Sequence, residues 1–278
     1  MSLPSSLTPF VTLLPGLSAG HACAAEKPLW ELGIGVSALS FPDYRGSDES
    51  NLYAIPFPHF VYRGTFFNGD RDGIRGTFFD SDRIELNVSL GASLPVNSEE
   101  NAATQGMPDL QPTVEIGPSL DLHLWRTDGR RCKLDLRMPI RAAITIAGEM
   151  KDVGWVFSPR LNLGIVDAAG FAGWEMGILA RPVSGSQRNH DYFYSVSPQF
   201  ATASRPVFDA KGGYAGSQFL ISLSKCFPKF WLGAFARRDS LKGAVFVDSP
   251  LAKSEQAFAA GIGIARVGES SARVEADV

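Results

Sequence analysis

Beyond the first thirty positions, the residues with the sharpest chemistry are His59, His123 and His190, together with Cys132 and Cys226. Their spacing supports little of it. No C-x-x-C and no H-x-x-x-H occurs, so the scattered histidines form no zinc site, and neither a metal nor a cofactor is expected. No G-x-S-x-G elbow, H-E-x-x-H pair or phosphate-binding loop is present either. Two carboxylates, Glu115 and Asp121, fall on one face of an alternating segment, where they imitate the pair that general acid–base chemistry needs. Arg137, Arg141 and Lys133 occupy the corresponding face of the following segment, and paired charges lining a narrow interior are the better account. No catalytic residue is predicted; Glu115, Asp121, Arg137 and Arg141 are expected as lumen charges.

A second candidate is the stretch FPDYRGSDESNLYAIPFPHFVYRG, Phe41 to Gly64, which crowds turn formers, charges and aromatics between apolar runs. It reads as a first long loop rather than an active-site loop. Phe41 is expected to close a strand at an aromatic belt, and Asp43, Tyr44 and Arg45 are candidates for shaping the loop or contacting a partner. Pro56 and Pro58 lie two apart, so each removes a ladder donor from the same edge of the returning strand, which predicts weakened pairing and a bend.

The elements that must carry these residues are strands. In RIELNVSLGASL, Arg83 to Leu94, Ile84, Leu86, Val88, Leu90, Ala92 and Leu94 alternate without a break with polar or small residues. TVEIGPSLDLHLWR and CKLDLRMPIRAAITI repeat the pattern. Period two sustained this long puts one face against an apolar medium and the other against water. Globular strands cluster near 5–6 residues, whereas a tilted strand crossing a bilayer needs about 9–11, and these runs have the membrane length. Trp30 to Phe41, Trp155 to Val166, Phe171 to Arg181, Tyr214 to Cys226 and Ala257 to Val267 follow with more slips. Small residues on the polar face, such as Gly33, Gly35, Gly91, Gly117, Gly164 and Gly177, leave interior room for Arg137, Arg141, Glu115 and Glu175. No segment carries a helical period.

Tight links at 80–82, 127–131, 167–170 and 227–229 alternate with longer polar ones at 42–50, 96–111, 147–154 and 183–190. Short turns on one rim and long loops on the other are the outer-membrane pattern. The parity fails between Tyr192 and Lys229, where SPQFATASRPVFDAKGGY is either a rim excursion or an added hairpin. The fold expected is all-β: an antiparallel up-and-down transmembrane barrel of about 12 strands, with 10 to 14 allowed.

Composition is compatible. At 278 residues, 45% hydrophobic and with a net charge of −3, the chain has no basic block, so nucleic acid is not an expected partner. No stretch approaches the roughly 18 apolar residues of a membrane-crossing helix. Residues 1–25 read as a secretory signal peptide with small residues at Ala22 to Ala25, although the basic n-region is missing and Pro15 interrupts the apolar core. Residues 26–267 then form a single barrel domain, and 268–278 a polar tail without the terminal aromatic common in such barrels. Cys132 and Cys226 are expected as half-buried thiols, with one bridge between them as the alternative.

PDYRGSDES after the first strand, PFPHFVYRG in the second, RPVFDAKGG at Arg205 to Gly213 and LKGAVFVDSPLAKSEQAFAAGIGIA near the end resemble the MltA-interacting protein (MipA)/OmpV family of Gram-negative outer-membrane proteins. The resemblance spans nearly the whole mature chain. It implies a barrel in outer-membrane lipid, exported through a signal peptide. It also implies a scaffold for murein enzymes, a lytic transglycosylase and a penicillin-binding protein. Porin-like and adhesive members keep a small-solute channel open as the alternative, and an outer-membrane hydrolase is a third. The family supplies no catalytic motif.

Overall fold

The computed structural model describes residues 28–63, 67–70, 73–81, 83–127, 129, 131–227, 229–267 and 271–273. The segment read as a signal peptide lies outside them. One antiparallel sheet of 14 strands contains β1 (Pro28–Pro42), β2 (Ser50–Arg63), β3 (Phe67–Asp70), β4 (Gly73–Asp80), β5 (Ile84–Ser93), β6 (Thr113–Arg126) and β7 (Cys132–Thr145). It continues through β8 (Asp152–Phe157), β9 (Arg160–Val166), β10 (Trp174–Gly185), β11 (Gly213–Cys226), β12 (Phe230–Ser240), β13 (Gln256–Val267) and β14 (Ser271–Arg273). The sheet closes on itself, because β13 pairs β1 from Gly33↔Val267 to Ser40↔Ala260. β8 and β9 both run antiparallel to β7 and β10, so they share one position interrupted at Ser158 and Pro159. With β14 only extending the start of β1, the ring has twelve strand positions among the described residues.

Burial orients the two faces, which the alternation alone leaves open. The apolar face is the exposed one: Ile34 is 71% and Ile262 55% accessible, and Val36, Ile116, Leu120, Ile140, Phe258 and Ile264 share their side. The polar face is inside, where Asp121 is 2% and Arg137 6% accessible beside buried Asn87, Ser119, Asp135 and Asn162. A water-soluble barrel has the reverse arrangement, whereas lipid outside and polar groups inside define a transmembrane barrel. The interior is narrow. A Cβ on Gly117 would lie 2.0 Å from Ile140 O, so only glycine lets the chain pass Arg141 there. At Gly35 the space goes to the Phe57 ring rather than to a charge.

The polar segment after β10 is a rim excursion. It contains α1 (Gln187–Tyr194), the one α-helix among the described residues, which the strand pattern did not foresee. The Ser186 hydroxyl caps it by accepting from Asn189 N–H. With 8 residues the helix is too short for a convincing period.

Four expectations need correction. Phe41 belongs to the inward row of β1 with Ser37 and Leu39, opposite the lipid-facing Ile34 and Val36, so it packs against Phe235 at 5.9 Å instead of joining an aromatic belt. The polar tail is partly paired, since Pro28↔Arg273 and Trp30↔Ser271 join β14 to β1. Cys132 is a half-buried free thiol as expected, but Cys226 is disulfide-bonded, and not to Cys132, so it is neither a thiol nor half of a Cys132–Cys226 bridge. Pro56 and Pro58 do not weaken the β1–β2 ladder, whose register runs without a shift from Trp30↔Tyr62 to Pro42↔Ser50. The reason is parity. Asp43 N–H donates to Glu49 O at 3.2 Å, so the odd residues of β2 are the hydrogen-bonded partners of β1. The missing donors of both prolines therefore face the other edge of β2, which among the described residues pairs β3 only at Tyr62 and Arg63.

Placing a charge on the lipid face should be costly in proportion to depth. Ile262→Arg, midway along β13, is expected to destabilise the barrel by about 2–4 kcal/mol. Urea unfolding in lipid vesicles, followed by heat-modifiable gel migration, would measure it; an unchanged midpoint would contradict the orientation of the faces.

Candidate functional site

The lumen charges are placed by strand register. Asp121 on β6 stands opposite Arg137 on β7, and their side chains meet at 3.3 Å. Asn87 Nδ2 at 3.1 Å and the Ser119 hydroxyl at 2.6 Å also donate to the Asp121 carboxylate. Nearer the long-loop rim, Arg141 Nε donates to Glu115 Oε2 at 2.8 Å, and its Nη atoms reach the Ser89 and Ser158 hydroxyls at 3.3 and 3.2 Å. A third pair, His123 and Asp135 at 2.8 Å, lies toward the short turns. These carboxylates are engaged by guanidiniums, an imidazole, an amide and a hydroxyl.

The long loops form a packed dome over the barrel mouth. Tyr194 of α1 stacks on Phe246 at 3.6 Å, Tyr44 meets Tyr194 edge-on at 6.3 Å, and Leu241, Ala210 and Ala244 complete the cluster. Burial of such surfaces, at roughly 25 cal/mol per Å², supplies what flexible loops otherwise lack. Backbone carbonyls are taken up by specific donors: Leu251 O accepts from Tyr44 OH at 2.8 Å, and Arg45 O from Tyr194 OH at 2.8 Å. The Arg205 guanidinium binds three carbonyls, those of Phe200, Ala103 and Gln105, and so ties two loops together.

Asp43, Tyr44 and Arg45 thus act within this dome. Asp43 accepts from Asn51 and Asn101, each at 2.7 Å, Tyr44 is buried, and Arg45 turns inward to within 3.7 Å of Asp239. As placed, Asp43 and Arg45 are engaged by partners inside the dome, and Tyr44 is buried there.

Beneath the dome lies a cavity of about 280 Å³. Its walls carry Arg45, Arg141, Arg160, Arg181 and Arg237 against one carboxylate, Glu115. Sequence reading had singled out two of these arginines as lumen charges or loop residues, Arg45 and Arg141. Of the others, Arg160 and Arg181 sit where the alternation slips, after the break and before the Pro182 bulge, whereas Arg237 lies in the regularly paired β12. The dome itself left a signal in the sequence: Phe193, Tyr194, Phe208 and Phe246 are aromatics in links that would be polar if they faced only water.

His190 joins dome and cavity. Its Nδ1–H donates to Lys211 O at 2.6 Å, and its ring packs edge-on against Phe246 at 4.8 Å. Burial pushes the imidazole below its ordinary 6.5; Arg45 acts in the same direction, while the Lys211 bond and Asp191 oppose it. With its folded value depressed, the unfolded chain takes the proton first, so stability from neutral His190 is full above pH 6.5 and is lost as pH falls through the folded value.

Two outcomes are expected. Arg141→Met leaves the half-buried Glu115 without its nearest cation and should cost about 1–3 kcal/mol in urea unfolding, much of it recovered when Glu115→Gln is added. Acidification from about pH 7 to 5 should loosen the dome, seen as faster amide exchange at Tyr44 and Phe246, and His190→Gln should flatten that dependence.

None of the curated proteins matches the chain. Among solved structures it is similar to the NanC porin, with 7% identity, 86% of this chain and 98% of that one covered, and a TM-score of 0.37. An outer-membrane channel from Pseudomonas putida F1 gives 12% identity, 90% and 100% coverage, and 0.43. The toluene transporter TbuX of Ralstonia pickettii gives 9%, 88% and 70%, and 0.27. A family model described as MltA-interacting protein MipA matches residues 34–267, nearly the entire barrel, and the chain belongs to that family.

Proposed function

We propose that this outer-membrane barrel is a non-catalytic docking protein. Its short-turn rim would face the periplasm and hold murein-remodelling enzymes, a lytic transglycosylase and a penicillin-binding protein, near the membrane of a Gram-negative cell that exports it through a signal peptide. The observation that carries this reading is the filled interior. Asn87, Asp121, Asp135, Arg137 and Asn162 are all nearly inaccessible from within, and the dome covers the mouth. A wide diffusion pore would leave such groups wet. The family's description as MltA-interacting supports the class of partner.

A second reading, a small-solute channel, is favoured by the arginine-lined cavity. The two separate cleanly. Mild detergent extraction and affinity purification of the full chain should recover a transglycosylase or a murein synthase, and planar bilayers containing the pure barrel should stay silent. Recovery of neither enzyme, or regular conductance steps, would sink the docking role.

A further inference from the structure

The cavity under the dome has more cation than its surroundings use. Glu115 is held by Arg141 at 2.8 Å, and Asp239, just behind the wall, is shared between Arg237 at 2.9 Å and Arg45 at 3.7 Å. Among the described residues, Arg45 Nε and Nη2 are buried without a hydrogen-bond partner. Arg181 Nε donates to the neutral Gln218 amide, and no carboxylate lies within ion-pair distance of it among the described residues. Guanidiniums kept from water and gathered around one space repel one another, and an anion placed among them removes both the repulsion and the unmet donors. Their planar forks suit oxygen atoms in pairs.

The wall also carries an acceptor. His190 is 1% accessible, and its Nε2 has no hydrogen-bond partner among the described residues. With the proton on Nδ1 committed to Lys211 O, Nε2 presents a lone pair to the cavity. A ligand that satisfies this wall carries oxyanion groups for the arginines and one hydroxyl for the imidazole. The volume, about 280 Å³, is at the lower end of ligand pockets and admits a small molecule rather than a polymer.

We propose that the chamber beneath the dome binds a small oxyanion bearing a hydroxyl, gripped by Arg45 and Arg181 with Arg237 beside them and oriented by His190. Inorganic phosphate, as its protonated anions, and citrate both have this chemistry; sulfate has the charge without the hydroxyl. The assignment does not rest on the docking role, since a docking barrel and a channel are each compatible with a bound anion.

The test uses the full folded chain in detergent. Thermal unfolding and calorimetry with phosphate and with citrate, against chloride at equal ionic strength, should give a saturable stabilisation that grows with ligand as binding to the native state requires. Sulfate should bind more weakly, and phosphate and citrate should exclude each other from one site per barrel. Arg45→Gln and Arg181→Gln should each weaken binding by about tenfold or more, whereas Arg238→Gln, an exposed arginine on the outer face, should leave it unchanged. Where a variant lacks heat-modifiable migration, competition in the unaltered protein decides alone. No saturable response, equal binding of sulfate, independent binding of the two ligands, or folded Arg45 and Arg181 variants that bind as before would each overturn the proposal.

Discussion

The pairing of β13 with β1 is the constraint on which the rest depends. In hydrocarbon no water meets an exposed N–H or C=O, so a spanning sheet is viable only when its ladder returns to its first strand. Closure then dictates the side-chain plan. Whatever alternates outward meets lipid, and whatever alternates inward is confined to a narrow space shared by twelve positions. Glycines such as Gly117 make that space sufficient, because a methyl group there would overlap the backbone of the neighbouring strand.

Confinement makes the interior charges specify register as well as fill space. Asp121 faces Arg137 directly across β6 and β7, so a slip of one residue in either strand would turn one of the pair to lipid and leave the other unpartnered inside. A lysine or arginine at mid-bilayer costs about 2–4 kcal/mol, before the stranded partner is counted. The same slip would carry Ile116 and Leu120 inward beside Asn87, so apolar and polar faces enforce one register together. The ion pairs thus contribute more to uniqueness than to raw stability, which suits pairs whose desolvation offsets much of their attraction.

How much of this was legible follows from the same physics. Arg83 to Leu94 and Cys132 to Ile146 announced themselves because a half-lipid, half-lumen environment writes a period of two over a full crossing. The turns were readable from Asp and Gly at 127–131 and 167–170. Which face met lipid was not, since alternation is symmetric until closure decides it. Phe41 was misplaced because an aromatic at a strand end fits either a belt or a dome, and only its parity with Leu39 tells them apart. The prolines misled because a missing donor matters only on the edge where a neighbour asks for it. The cavity arginines came from four different strands and a loop, a convergence that no spacing in the chain encodes.

The segments that carry the family resemblance are mainly those of the dome rather than the wall. PDYRGSDES contributes Asp43, Tyr44 and Arg45; RPVFDAKGG contributes the carbonyl-binding Arg205; LKGAVFVDSPLAKSEQ contributes Leu241, Phe246 and Leu251. Wall positions need only be apolar outside and compact or paired inside, which many residues satisfy. Dome positions must meet particular partners: Tyr44 OH reaches Leu251 O across 207 residues of chain, and Tyr194 OH reaches Arg45 O across 149. Replacing either tyrosine with another apolar residue would keep the packing and lose the tie. The distinctive chemistry of this chain is therefore concentrated where loops close over the arginine-lined cavity, and a generic barrel wall serves to hold those loops in register.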